Sequence, residues 1–376
     1  MDSKANLKKT NRSKILHAIR EYGQISKRKL QEVTGLSWST ISMLTAELID
    51  EGFLCVLSKQ NTFVGRRPET VGINQNNNIF IGIDVNCYDF RVIVTDLCGC
   101  VLRRRVFKDT IMEKDTIISR LFCAVDAIMK DYDQGSIRAI SFSVQGSVDL
   151  SGGESVCIYD IKGWRNVRLA EIFSERYRLP VFVFHDAFCA LKAEISLNTA
   201  ARSAKSAILI YYSPKVGISA PVILDGNIYT GFSGRSGEIG RMIIPDGTNE
   251  GVILERTITE RTVFDEYHKY FPQTESFDDL AVAALKGEES AKAEFDRLGF
   301  RIGIAVANCV NLFDPELVLL GGMRDSYANL YKDSVIKNIK KHINGEIHIV
   351  LSDQDENYTA IGAALMAVDK VIDKFY

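Results

Sequence analysis

Residues 26–52 read SKRKLQEVTGLSWSTISMLTAELIDEG, and this stretch decides the fold of the chain's head. A hydroxyl placed just before a helix accepts a hydrogen bond from an otherwise orphaned N–H of the first turn, and a glycine just after a helix supplies the left-handed backbone that ends it. Ser26 can therefore cap a helix carrying Leu30 and Val33, which Gly35 ends; Ser37 then caps another, with Ile41, Leu44, Leu48 and Ile49 on one face. Upstream, Ile15, Leu16 and Ile19 recur at helical spacing between Arg12 and Tyr22, and Gly23 follows as a stop. Three short helices with a tight glycine turn between the second and third form a helix-turn-helix. Beyond Gly52, residues 53–57 and 62–64 flank a polar loop and are predicted to pair as a small hairpin, the wing.

In such a motif the third helix enters the major groove of duplex DNA with its N-terminal residues against base edges. Here these are Ser37, Trp38, Ser39, Thr40, Ser42 and Met43: hydroxyls that reach bases or phosphates, and an indole whose apolar face suits a thymine methyl or a sugar. The alternative is three amphipathic helices that merely pack together, with Trp38 as a core plug. Gly65, Arg66, Arg67 and Pro68 follow. On a Gly/Pro-constrained extended segment, Arg66 and Arg67 suit a narrow A·T-rich minor groove; they equally fit a solvated linker or an interdomain ion pair.

Charge supports a polyanion partner for the head alone. Through Gly72 the chain carries twelve basic against seven acidic residues, a net of +5, so with −2 overall the remainder holds −7. The other bulk properties exclude rather than identify. At 376 residues, 46% hydrophobic and 25% charged, the chain is long enough for two or three cores and reads as an ordinary globular protein. No signal-peptide core follows the polar, basic first residues, and the longest apolar runs are too short for a bilayer, so a cytoplasmic protein without membrane attachment is expected. Eight cysteines are scattered without paired CxxC spacing, which suits reduced thiols and no structural metal; Cys98 and Cys100 read as a turn between strands rather than a metal site.

Beyond Gly72, residues 79–85, 90–96 and 101–107 read as three strands joined by short turns. A helix near 116–132 and a strand at 139–144 follow. The pattern repeats after Ala207, with strands at 207–212, 218–224, 317–320 and near 347 among helices. A meander followed by alternating helix and strand is α/β, and two related lobes would leave a cleft for a small ligand. The predicted segments are 1–72 for the head with its linker, 73–200 for the first lobe and 201–376 for the second.

Several stretches of the body carry a family resemblance: IGIDV at 81–85, SVQGSVD at 143–149, VFHDAFCALKAE at 183–194, LDGNIYTGFSGRSGEIGRM at 224–242 and VNLFDPELVLLGG at 310–322. Together with the head, they make the whole chain resemble the ROK family of repressors, open reading frames and kinases. That resemblance implies a winged helix-turn-helix joined to the two-lobed actin/hexokinase-like, ribonuclease H-like sugar-kinase fold, with sugar held between the lobes.

Phosphoryl transfer needs backbone donors and glycines where the chain approaches phosphate oxygens. The first strand of ROK kinases resembles G-x-D-x-G-G-T-K; here Asp84 is kept, but Asn86, Cys87 and Tyr88 replace Gly, Gly and Thr. The second phosphate loop, usually G-T-G-I-G, appears as residues 213–218, Ser-Pro-Lys-Val-Gly-Ile, and its proline has no N–H to donate. Only the late Gly321-Gly322 pair is intact. The family's zinc run, a His closing E-I-G-H and three cysteines, is replaced by Arg241 and a cysteine-free PDGTNEGVILE, so no metal is expected.

The sugar side persists. By resemblance, Asp186 matches the catalytic base, Glu238 the Glu of E-I-G-H, and Glu255 the Glu that closes the zinc run; carboxylates on several loops read out sugar hydroxyls. His185 stands where the family has Asn, and Arg241 where it has His. Arg241 can hold an anionic sugar derivative or pair with Glu238 or Glu255; the same charges can also form a structural ion-pair cluster. The expectation is a sugar-responsive DNA-binding regulator, a repressor, with an inactive kinase-like body and no cofactor. Its rivals are an active sugar kinase with a DNA head and a ligand-free scaffold. Recognition helices reading half-sites about 34 Å apart call for a two-fold dimer, or a tetramer, on a palindromic operator.

Overall fold

The computed structural model describes residues 2–57, 69–86, 89–108, 113–158, 160–245, 250–323, 327–352 and 357–373. The head consists of α1 (Asp2–Tyr22), β1 (Gln24–Ser26), α2 (Lys27–Thr34), α3 (Trp38–Asp50), β2 (Leu54–Leu57) and β3 (Thr70–Ile73). Both expected caps form: Ser26 accepts from Lys29 N and Ser37 from Thr40 N, while Gly35, at φ 68°, makes the tight turn that only glycine adopts without strain.

The wing differs from its sequence reading. β2 pairs antiparallel with β3, whose other edge takes β1 in the order β1-β3-β2, so residues 54–57 find their partner in residues 70–73, which the sequence places in the linker and domain boundary. Residues 62–64, Arg66 and Arg67 lie outside the described residues.

The body continues with β4 (Ile79–Val85), β5 (Asp89–Thr95), β6 (Val101–Lys108), α4 (Lys114–Met129) and β7 (Ile137–Val144). A small antiparallel sheet of β8 (Ser147–Asp149), β9 (Glu154–Cys157) and β10 (Arg165–Val167) precedes α5 (Leu169–Tyr177), β11 (Val181–His185) and α6 (Asp186–Leu197). The main sheet has the order β11-β7-β4-β5-β6, parallel from β11 to β4 and antiparallel beyond.

A second unit, Ala193–Asp355, holds α7 (Thr199–Ser203), β12 (Ala207–Ser213), β13 (Gly217–Ser219), β14 (Val222–Leu224), β15 (Asn227–Tyr229), β16 (Ile243–Ile244) and β17 (Val252–Ile253). It continues with α8 (Glu260–His268), α9 (Phe277–Leu285), α10 (Glu289–Phe313), β18 (Leu317–Gly321), α11 (Lys332–His342) and β19 (His348–Leu351). Its sheet runs β15-β14-β12-β18-β19, with β13 also on β12. The stretch expected as one strand at 218–224 is two, β13 and β14, because Ala220 turns its N–H to Gly237 and Pro221 has none.

The last helix, α12 (Tyr358–Asp373), returns to the first unit, which spans Met1–Lys192 and Glu356–Tyr376. Residues 358–373, expected within the second lobe, thus pack with the first unit, and so does the head. Small residues let α12 lie directly on β4: a Cβ at Gly82 would strike the Ala360 carbonyl, and one at Gly362 the Cys189 carbonyl. The head packs against this helix as well. Ile15, Leu16, Ile19, Leu44 and Leu48 share one buried cluster with Phe80, Ala139, Ala364, Ala367, Val368 and Ile372.

Polar clamps fix the seam. Asn78 donates to the carbonyls of Gly52, Phe53 and Asn74, and Arg138 lies over the Phe53 ring at 4.4 Å while donating to Glu51 O. Among the described residues no helix is long and apolar enough to cross a membrane. Because the Gly82 contact is with backbone, which cannot swing aside, Gly82→Ala is expected to cost about 1–3 kcal/mol and lower the thermal midpoint by several degrees in circular dichroism. An unchanged midpoint would refute the close packing of α12.

Candidate functional site

In the head, the N-terminal turn of α3 presents the expected readers. Ser37 Oγ lies 3.0 Å from Ser39 Oγ and 2.8 Å from Thr40 Oγ1, so the three hydroxyls order one another. Trp38 is 54% exposed and Met43 51%, which excludes the indole as a core plug. Ser42 is half-buried on the same helix.

Three residues entered the sequence reading only through the head's basic charge. Lys27, Arg28 and Lys29 open α2 directly after its cap, where cations oppose the partial positive charge of a helix N-terminus. Glu69 and Glu32 lie within 3.3–3.9 Å of them and offset this in part. The SKRK run was the available signal, since a helix start loaded with cations suits an anion. Arg12, counted among the basic residues, is instead internal; it is bound to Glu51 and ties α1 to α3.

In the first unit, the β4–β5 register sets Asp84 directly opposite Arg91. Asp84 is buried and fully engaged: Ser143 Oγ donates to Oδ1 at 2.6 Å, Asn86 Nδ2 to Oδ2 at 3.1 Å, and Arg91 Nη1 stands 3.7 Å away. Burial pushes its carboxyl up, and these partners work against that shift. Asn86 also donates to Asp89, which pairs with Arg91 at 2.6 Å. Sequence reasoning missed Arg91, although a lone cation within an otherwise apolar strand is a readable sign. Cys87 and Tyr88 lie outside the described residues.

His185 ends β11 and Asp186 begins α6, where Ala187 N donates to Asp186 Oδ1 at 2.8 Å; His185 Nδ1 is 3.1 Å from the same oxygen. One turn on, burial pushes the Cys189 thiol well up, with Asp186 and Asp84 both adding to the shift. Asp84 and Asp186 therefore bear on one region.

In the second unit, the short β16–β17 pairing joins two 3₁₀ turns, Ile239–Arg241 and Leu254–Thr257, and so gathers Glu238, Arg241 and Glu255. Burial pushes the Glu255 carboxyl up, Glu238 pushes it the same way, and Arg241 pulls it back. Its side chain lies over two glycines: a Cβ at Gly217 would collide with its carboxylate, and one at Gly240 would sit 3.2 Å from Oε2.

Residues 213–217 form the tight end of the β12–β13 hairpin. Val216 N donates to Ser213 O, and Pro214 O accepts from Glu260 N. Gly217 thus makes room for Glu255. Gly322, at φ 75°, makes room for the Tyr212 backbone. A zinc ion does not fit where the family carries one, because the guanidinium of Arg241 has no lone pair to give and the following run has no cysteine.

Because the folded-state value of Glu255 is raised, the native chain binds that proton more tightly than the unfolded chain. The associated stabilisation is complete below the ordinary glutamate range and is lost as pH rises through the raised value. Glu255→Gln is therefore expected to match the wild type near pH 4 and to exceed it at pH 8 by up to ~1 kcal/mol, read from urea midpoints; the estimate is small because the site is partly solvated. A pH-independent difference would contradict this assignment.

A family model described as ROK family matches residues 80–370, and one described as winged helix-turn-helix DNA-binding matches residues 9–54. The chain is 26% identical to the xylose repressor of Bacillus subtilis over 98% of this chain and 97% of that one. It is 25% identical to the DNA-binding transcriptional dual regulator NagC of Escherichia coli, over 84% and 81%. A crystal structure of a ROK family transcriptional regulator, homolog of the E. coli MLC protein, superposes with a TM-score of 0.82 at 23% identity over 98% of both chains. The ROK hexokinase of Thermus thermophilus gives 0.65 at 21% identity over 76% of this chain and 97% of that one.

Proposed function

The chain belongs to the ROK family, and from that premise we propose that it is a repressor that binds operator DNA through its winged head and senses a sugar through a kinase-like body that transfers no phosphoryl group. The carrying observation is the state of Asp84. Its two oxygens accept from Ser143 and Asn86 with Arg91 alongside, so a carboxylate at a phosphate-facing position of the family is engaged within the protein. Pro214 and Val216, at the second such position, are likewise committed to the hairpin and to α8. Among the described residues, Asp84, Asn86, Pro214 and Val216 thus spend their polar groups on partners within the protein.

On this reading His185, Asp186, Glu238, Arg241 and Glu255 are the effector-binding residues. Carboxylates accept from sugar hydroxyls, and Arg241 favours a hydroxyl-rich or acidic sugar derivative. The relatives named for xylose and N-acetylglucosamine make these two sugars the first probes. Sugar binding relieves repression, two copies of the chain meet a palindromic operator, and the protein works in the cytoplasm. An effector that binds the DNA-competent and incompetent forms unequally is sufficient for the response.

The test is a sugar panel read by thermal shift and by coupled ADP release. One sugar is expected to raise the midpoint, by the equivalent of ~2.7 kcal/mol at a hundredfold excess over Kd, with no ADP formed. Turnover of about 1–100 s⁻¹ with ATP would identify a kinase instead.

Trp38, Ser37, Ser39, Thr40 and Ser42 face the bases on this reading, and Lys27, Arg28 and Lys29 the phosphates, with Arg66 and Arg67 in the flanking minor groove. Trp38→Ala is expected to leave the melting curve unchanged and to weaken operator binding by ~1–3 kcal/mol. Arg28→Ala is expected to lower the slope of log affinity against log salt by about 1 across all sequences. Fluorescence anisotropy across a salt series reads both, and unchanged binding in either variant would remove that residue from the interface.

A further inference from the structure

Asp369, near the end of α12, divides its carboxylate between two elements. Oδ1 is held by Arg20 Nη1 at 2.8 Å and Oδ2 by Lys192 Nζ. Arg20 lies in the last turn of α1, the helix on which the head is built. Lys192 lies on α6, six residues after Asp186, about 9 Å along the helix. Burial works against the ionised Asp369, yet Lys192 and Arg20 hold its carboxyl below the ordinary range. The carboxylate is half-buried while both of its cations are largely enclosed, so losing one cation leaves the other pairing unbalanced in partly desolvated surroundings. The helix that carries this carboxylate is packed against β4 and shares one buried cluster with the head, so it has little freedom to absorb a displacement.

We infer that Asp369 is a positioning residue that ties the effector-bearing helix α6 to α1, the helix on which the DNA-binding head is built, so that a shift of α6 at Asp186 is passed to the head through Lys192–Asp369–Arg20. The inference rests on the sugar-responsive reading above. It concerns the transmission of the response, since neither Lys192 nor Asp369 belongs to the proposed effector or DNA contacts. A coupling of this kind changes the affinity at one site by about 5–150-fold when the other is filled.

The experiment uses the full chain and a duplex enriched by the wild type from a randomised pool. DNA affinity is measured with and without D-xylose and N-acetylglucosamine, and sugar affinity is measured by calorimetry on the same samples. Lys192→Met is expected to bind DNA and sugar within about threefold of wild type, while the sugar-induced change in DNA affinity falls towards 1. Lys192→Arg, which keeps the cation, is expected to retain the wild-type ratio. Asp369→Asn is expected to behave as Lys192→Met. If loss of that carboxylate costs folding, the two Lys192 variants decide the matter, because Arg20 still partners Asp369 in both. A wild type that responds alongside a Lys192→Met that responds equally overturns the relay alone. A wild type whose DNA affinity neither sugar changes, with no sugar binding by calorimetry, overturns the reading on which the relay rests.

Discussion

The apolar face that α1 and α3 share with α12 is the contact on which the rest of the structure depends. Ile15, Leu16 and Ile19 come from the head, and Ala364, Ala367, Val368 and Ile372 from the final helix; Phe80 and Ala139 of the main sheet complete the cluster. Each large side chain so buried contributes roughly 1.5–3 kcal/mol relative to exposure, so a shared cluster of this size holds the head firmly to α12. A head on a flexible tether would feel an effector only through local concentration. A head that shares a core with the main sheet would feel a ligand bound there through geometry, because close-packed interiors rearrange between discrete arrangements instead of yielding gradually.

The same economy of position recurs at the two loops that match the family's phosphate loops. At the first, a cross-strand arginine and an asparagine occupy the surroundings of Asp84; at the second, a hairpin closes on itself and the glycine that remains receives the Glu255 side chain. Glycines that read as relics of nucleotide binding are thus required for close approach within the protein, as Gly322 is by Tyr212. The carboxylates that match the family's sugar contacts lie on short turns and at a helix start, Asp186 and Glu255 half-buried and Glu238 exposed.

Local chemistry was legible and non-local pairing was not. Ser26, Gly35 and Ser37 act within their own turns, so the helices appear where those residues put them. Residues 70–73 look like linker because their β pairing depends on a partner thirteen or more residues away and on β1 behind them. The return of α12 to the first unit leaves no trace in its periodicity; only its run of small residues, Ala360, Gly362, Ala363 and Ala364, hints at a helix pressed against a sheet. Glu238, Arg241 and Glu255 were found through their motif and do gather. Arg91 is readable as a lone cation in its strand, but its partner became evident only once strand register set it opposite Asp84.

Native-state hydrogen exchange across a denaturant series tests the shared core most directly. The amides of Ile15, Leu16 and Ile19 in α1 and of Ala364, Ala367 and Val368 in α12 are expected to open in one cooperative step with a common free energy. Exchange of the α1 amides through a separate opening of markedly lower free energy, with α12 still protected, would show a head that unfolds on its own and would contradict the account.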